Sequence, residues 1–159
     1  MVGWFCPETI DDMKKNYYAA LTYMVLGLVA GLYYREFTKA RDFTGDTQLS
    51  VMHTHLLALG MLVFLIVLAL DKLFDLSRTK SFNLFFWFYN AGLVVTVAMM
   101  FVHGTMDVLG KDVSGAVPGI AGLGHILLTV GLASFFVSLR SRAFGDKASD
   151  ESARVAVDA

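Results

Sequence analysis

Four long apolar stretches dominate this chain and limit what it can fold into. They cover residues 17–37, 49–70, 83–107 and 117–139, and each is close to the ~20 residues that a helix needs to cross a bilayer. Backbone amides inside a bilayer must be satisfied within the protein, and no alternating strand pattern is present. The sequence therefore predicts an all-α integral membrane protein, a four-helix bundle of up-down-up-down topology.

Composition and charge agree with a membrane-embedded chain. Hydrophobic residues make up 56% of the 159 residues and charged residues only 17%, and the charges collect in the short segments between the apolar stretches. We expect a short interfacial segment over residues 1–13, one transmembrane domain over 14–140 and a disordered cytoplasmic tail over 141–159. The lipid bilayer is the expected partner, and no basic patch indicates nucleic-acid binding.

The lysines and arginines that flank the stretches predict the orientation. Eight lie on one side and four on the other, which favours a cell-membrane protein with both termini in the cytoplasm. The larger set is Lys14, Lys15, Lys72, Arg78, Lys80, Arg140, Arg142 and Lys147, and the smaller set is Arg35, Lys39, Arg41 and Lys111.

Several classes of chemistry lack the residues they need. Cys6 is the single cysteine, so neither an intrachain disulfide nor a CxxC motif can form. There is no phosphate-binding glycine loop, G-x-S-x-G elbow, HExxH motif or dinucleotide fingerprint. No catalytic residue, hydrolase activity or nucleotide-dependent activity is indicated, whereas a redox function stays open.

The four histidines all lie within predicted helices and near the same face of the membrane. At ~1.5 Å per residue from the outer helix ends, His53 and His103 are about 6 Å deep, His55 about 9 Å and His125 about 12 Å. Intramembrane ionisable residues are rare and usually functional, and imidazole is a good ligand for iron, copper and zinc. The pattern predicts a metal or haem site formed by His53, His55, His103 and His125.

The spacing within His53-Thr54-His55 restricts how these ligands can combine. Residues two apart on a helix point about 200° apart, so His53 and His55 should not chelate one ion together. Depth alone suggests a deeper pair of His55 with His125 and a shallower pair of His53 with His103. The second pair would be further ligands, a gas-side pair or contacts across a homodimer.

Neighbouring residues leave haem b and copper open as cofactors. The glycines close to the histidines, Gly60, Gly104, Gly122 and Gly124, would let a flat macrocycle approach the backbone, although small residues also serve helix packing. Thioethers near His53 and His103 would suit copper(I), although methionine in an apolar helix is usually filler; these are Met52, Met99, Met100 and Met106.

Two charged residues at the outer helix ends have a potential role beside such a cofactor. Asp107 lies four residues after His103 and is placed to hold that ring, or is an ordinary helix-end carboxylate. Arg35 lies at the level where haem propionates would emerge, or simply snorkels to the interface.

The stretches KKNYYAALTYMVLGLVAGLYYREF, LSVMHTHLLALGMLVFL and FVHGTMD resemble the core of a family of small bacterial four-span membrane proteins known only as a domain of unknown function. The resemblance covers Met13 to Leu139. More distantly, His53-Thr54-His55 followed by Gly60 resembles the histidine-bearing helices of haem-copper oxidase subunit I and of haem- and copper-containing nitric-oxide-resistance proteins. That resemblance implies haem ligation by one or both histidines, with copper nearby.

Three functions follow as hypotheses. The first is a membrane haem protein for electron transfer to a redox partner or for binding of a diatomic gas such as O2 or NO, with His55 and His125 as axial ligands. The second is a copper- or zinc-handling membrane protein. The third is a non-catalytic scaffold or partner subunit.

Overall fold

The chain folds into four long helices. The computed structural model describes the backbone of residues 7–157 and the side chains of residues 13–145. The helices are α1 (Pro7–Ala40), α2 (Leu49–Phe74), α3 (Lys80–Val108) and α4 (Ala116–Val157), and a short 3-10 turn at Leu76–Arg78 precedes α3.

Each helix contains a segment long and apolar enough to cross a membrane. These segments are Met13–Ala40, Leu49–Phe74, Lys80–Val108 and Ala116–Gly145, and residues 7–157 contain no strand. The prediction of an all-α chain with four spans is confirmed. The chain is a multi-pass membrane protein, and its many exposed leucines and valines are the surface that such a protein presents to lipid.

The bundle consists of two helical pairs. α1 packs along α2, α3 packs along α4, and α2 joins the pairs by also contacting α3. α3 and α4 approach closely, because glycines face backbone on the other helix: a Cβ added at Gly92 would lie 2.7 Å from the Leu128 nitrogen, and one at Gly131 would lie 2.9 Å from the Tyr89 nitrogen. Close backbone approach through small residues is usual between transmembrane helices.

The middle of α2 is wound as a π-helix. It is α-helical from Leu49 to His55, π-helical over Leu56–Leu62 and α-helical again from Val63. The Tyr89 hydroxyl of α3 donates a hydrogen bond to the Leu59 carbonyl at 2.9 Å, which gives a partner to a carbonyl within the altered ladder. π-helical turns often lie at functional sites, and this one begins directly after His55.

Aromatic rings fill the half of the bundle away from the histidines. Phe64 is completely buried and its ring centroid lies 5.8 Å from that of Tyr23, 6.1 Å from that of Phe85 and 5.8 Å from that of Tyr89. Rings at such spacings stabilise one another beyond the area they bury. They join α1, α2 and α3 into one core.

A polar turn connects α2 to α3 at the end of the bundle away from the histidines. Thr79 caps α3, because its hydroxyl accepts a hydrogen bond from the Phe82 amide at 3.2 Å. The same hydroxyl lies 2.6 Å from that of the buried Ser138 of α4. The turn thus holds the ends of three helices together.

The first and last helices extend beyond the predicted transmembrane domain of residues 14–140. α4 continues as helix to Val157, and so includes most of the segment whose composition predicted disorder. That segment contains many helix-favouring Ala, Lys, Glu and Arg residues and no proline. Of the predicted interfacial segment, residues 1–6 lie outside the described chain, and the backbone from Pro7 onward is part of α1.

Candidate functional site

Three of the four histidines surround one cavity between α2, α3 and α4. His55 comes from α2, His103 from α3 and His125 from α4, and the cavity has a volume of about 480 Å³, within the ~300–1,000 Å³ typical of ligand pockets. The other lining residues are Gln48, Thr96, Met99, Met100, Val117, Pro118, Ala121 and Gly122. The wall is therefore apolar, with a few polar side chains.

His55 and His125 are held in the same way. The Nδ1 atom of His55 lies 3.0 Å from the Val51 carbonyl oxygen, and Nδ1 of His125 lies 2.9 Å from the Ala121 carbonyl oxygen. A carbonyl can only accept, so each neutral ring donates from Nδ1 and keeps its lone pair on Nε2. A ring fixed by a backbone carbonyl through one nitrogen is the usual second-shell arrangement of a metal-binding histidine.

His103 is engaged differently. Its Nε2 atom lies 3.6 Å from Oδ1 of Asp107, four residues later on α3. The separation is too long for a direct hydrogen bond but allows an ion pair when the ring is protonated. Asp107 also lines a neighbouring polar cavity of about 300 Å³ with Asp46 and Ser50, so His103 lies between that polar cavity and the histidine cavity.

His53 does not line the histidine cavity. It lies against α1, where a Cβ added at Gly31 would be 3.7 Å from the His53 Cβ and Cγ atoms. Its Nδ1 atom is buried and has no hydrogen-bond partner. The two histidines of the HxH motif thus serve opposite sides of α2, as their 200° separation predicts. The depth-based pair of His53 with His103 is not brought together, because His103 faces His55 and His125 instead.

Arg35 also lies away from the cavity. It belongs to α1, its side chain is 77% exposed, and its Nε atom lies 3.8 Å from Oε1 of the neighbouring Glu36. α2 separates the α1 side of the bundle, where His53 meets Gly31, from the histidine cavity. The depth of Arg35 in the membrane agrees with its predicted role beside haem propionates, but its position around the bundle does not.

The glycines near the histidines divide into two groups. An added Cβ would lie 2.5 Å from Tyr23 at Gly60, 2.5 Å from the Leu49 nitrogen at Gly104 and 2.5 Å from the Thr96 hydroxyl at Gly124. These three positions bring helices together. Gly122 alone of the four lines the cavity, and nothing lies within 4 Å of an added Cβ there.

The methionines divide in the same way. Met99 and Met100 line the histidine cavity, whereas Met52 is buried in the core and lines an apolar groove between α1 and α3. In the described part of the chain, no three or more His, Cys, Asp or Glu side chains come together closely enough to hold a metal ion. The three imidazoles that line the cavity therefore do not form a three-histidine ion site.

Sequence reasoning missed the residues that shape this site from outside. The hydrophobic pattern of α2 does not reveal that its winding changes after His55. Nor does the sequence reveal the contact from Tyr89, because a tyrosine at that position is equally consistent with helix packing and with the membrane interface. Thr96 and Gln48, which line the cavity, resemble the other small polar residues of the spans. Only the position of the helices around one another identifies them.

The family comparison covers most of the chain. Residues 13–142 match the family described as protein of unknown function DUF2871. The chain belongs to DUF2871. The matched region contains all four spans up to Arg142 and every residue of the histidine cavity, so this site lies wholly within the DUF2871 core. No curated protein and no solved structure matches the chain.

Proposed function

We propose that this chain is a membrane haem protein in which His55 and His125 are the axial ligands of one haem b. A single observation carries the proposal. Two imidazoles on separate helices face one cavity, and each is tethered through Nδ1 to the carbonyl four residues earlier, so that both Nε2 lone pairs are available. Neutral Nε2 is the atom with which histidine ligates haem iron.

The rest of the cavity suits a macrocycle better than a bare ion. Among the described residues no three His, Cys, Asp or Glu side chains come close enough to hold a bare ion, whereas haem iron needs only two imidazoles from the protein. The cavity walls include Gly122, Pro118 and two thioethers, which present flat or adaptable apolar surface to a large ligand. A bound haem would supply one-electron chemistry or gas binding. The protein would fix the orientation of the rings and exclude water.

His103 and Asp107 complete the proposed site as its polar edge. A His103 ring paired with Asp107 can donate a hydrogen bond to a group in the cavity, or place a positive charge beside that group. The adjoining polar cavity, lined by Asp46 and Asp107, connects His103 to the aqueous side. In this proposal His103 is not an axial ligand but sets the polarity around the cofactor. His53 and Arg35 take no part in haem binding.

The proposal extends to place and partners. The excess of Lys and Arg on one side supports insertion in the cell membrane with both termini in the cytoplasm, which puts the histidine cavity toward the outer face. Electrons would come from a redox partner at the membrane. Since His125 is exposed beside the cavity, a second copy of the chain in a homodimer is a further candidate to cover it.

The test is a set of histidine variants of the full chain, produced with a haem precursor and purified in detergent. We expect the wild type to show a Soret band and His55→Ala and His125→Ala to lose it, whereas His53→Ala keeps it as the matched control. His125→Gly with added imidazole should recover part of the band, because free imidazole can replace the exposed ring. Loss of the band in His53→Ala with retention in the other variants contradicts the assignment.

Copper handling is the second candidate, and Met99 and Met100 favour it, since both line the cavity with the histidines. Two imidazoles and a thioether are suitable ligands for copper(I). Elemental analysis of the same samples separates the two: copper bound in the absence of a Soret band, and lost in His55→Ala, supports this candidate. A colourless and metal-free wild type leaves only the scaffold hypothesis.

A further inference from the structure

A second polar cavity lies at the opposite end of the bundle from the histidines. It has a volume of about 180 Å³ and is lined by Lys15 and Asn16 of α1, Ser77 of the short turn, and Phe82, Asn83, Phe86 and Trp87 of α3. It extends from the buried Asn16 and Phe82 to the exposed Lys15, Asn83 and Trp87. The cavity is thus open to the surface at a helix end, where lipid headgroups lie.

Two of the residues that line this cavity each have a buried polar atom without a hydrogen-bond partner. Asn16 is completely buried, and its Oδ1 atom is unsatisfied, as is the buried hydroxyl oxygen of Ser77. A buried polar group without a partner destabilises the folded state, so two beside one cavity indicate that something fills it. The Asn16 oxygen can only accept, and therefore the missing group must be a donor.

The remaining bonds of these residues fix their orientation. The Ser77 amide donates to Oδ1 of the buried Asp71 at 2.7 Å, and the Asn16 amide nitrogen lies 3.5 Å from Oδ2 of the same carboxylate. Asp71 therefore holds the Asn16 side chain with its nitrogen toward the carboxylate and its oxygen away from it. The Asn16 oxygen and the Ser77 backbone are therefore held in place before any ligand binds.

We propose that this cavity binds the ethanolamine headgroup of a phospholipid. A primary ammonium has three N–H donors, enough to satisfy both Asn16 Oδ1 and Ser77 Oγ, and the aromatic wall of Phe82, Phe86 and Trp87 attracts a cation. The phosphate that follows the ethanolamine carbons would lie at the mouth, where Lys15 adds positive charge. A choline headgroup has the same charge but no N–H, and so cannot satisfy either atom.

Thermal unfolding of the purified full chain in detergent tests this binding. We expect added palmitoyl-oleoyl phosphatidylethanolamine to raise the midpoint temperature more than the same amount of the phosphatidylcholine or the phosphatidylglycerol with identical acyl chains. Ser77→Ala should remove that difference while folding normally, since the backbone bond from Ser77 to Asp71 stays. Ser134→Ala is the matched control, because that hydroxyl bonds the Val130 carbonyl on the exposed face of α4, and it should keep the difference.

Several results would overturn the proposal. Equal shifts with phosphatidylcholine mean that no donor is required, and equal shifts with phosphatidylglycerol mean that the ammonium is not what the cavity selects. A preference for ethanolamine that survives in Ser77→Ala places the binding elsewhere. No lipid-dependent shift at all means that water alone fills the cavity. None of these outcomes depends on whether haem is bound at the other end.

Discussion

Glycines that look alike in the sequence, each within an apolar helix, have different surroundings in the structure. Gly104 meets the Leu49 backbone nitrogen, whereas Gly122 faces the open histidine cavity and Gly119, one turn earlier on α4, faces open space. A glycine against backbone cannot gain a side chain without moving a helix, while a glycine beside a cavity can. The same substitution therefore separates structural from functional positions.

Gly104→Ala should destabilise the bundle. The added Cβ would lie 2.5 Å from the Leu49 nitrogen and 2.9 Å from the Thr47 hydroxyl, and overpacking of this kind costs about 1–3 kcal/mol. Denaturant titration in mixed micelles measures the loss, with Gly119→Ala as the control that should cost little. A Gly104→Ala protein as stable as the wild type would show that α2 and α3 are not packed so closely.

Gly122→Leu should lower haem content without lowering stability. A leucine side chain there extends into the cavity proposed to hold the macrocycle, while Gly119→Leu, also in open space but outside the cavity lining, should leave haem content unchanged. The ratio of Soret absorbance to protein reports the difference. Equal haem loads in the two variants would count against this cavity as the haem site.

At the scale of elements, the π-helical segment of α2 links packing to the site. It begins at Leu56, directly after His55, and the Tyr89 hydroxyl bonds the Leu59 carbonyl inside it. A change in helical winding alters the direction of the residues on either side. Tyr89 is therefore in a position to influence the His55 ring through the backbone, without contacting the cavity.

Tyr89→Phe should lower the stability of the bundle and change the spectrum of the proposed haem. Removing the hydroxyl leaves the Leu59 carbonyl without that partner, at a cost of about 1–3 kcal/mol, and allows the π segment to rewind. Tyr23→Phe is the control, since it also loses one hydroxyl bond, to the Asn90 side chain at 2.8 Å. The Tyr23 ring packs against Gly60, but its hydroxyl bonds a side chain of α3 instead of a carbonyl of the π segment. A Soret maximum shifted equally by both variants, or by neither, would contradict a specific role for Tyr89.

The sequence predicted the elements better than their arrangement. Length and hydropathy located all four spans, and the 200° between His53 and His55 predicted that they would face different neighbours. The sequence gives the depth of a residue along its helix, however, but not the direction in which the residue faces around the bundle. Arg35 and the pair of His53 with His103 matched in depth but not in angle, because the packing of α1 on the far side of α2 is set by contacts such as that of Gly27 with Leu57.

At the scale of the whole molecule, polar cavities occupy both ends of a bundle whose middle is aromatic and apolar. The histidine cavity lies between α2 and the α3/α4 pair, and the small cavity of Asn16 and Ser77 lies where α1 meets the turn before α3. The packed rings of Tyr23, Phe64, Phe85 and Tyr89 lie between the two cavities. Because of this division, the haem proposed at one end and the lipid contact proposed at the other can be tested independently.

We propose that His55 and His125 together hold one haem within a single chain. Electron paramagnetic resonance of the oxidised protein tests it most directly, because two imidazoles on one iron give a six-coordinate, low-spin ferric haem. We expect a low-spin signal with one haem per chain, and we expect this signal to disappear in His125→Ala together with the haem. A haem-free protein, or a wild-type signal that is high-spin and unchanged in His125→Ala, would contradict it.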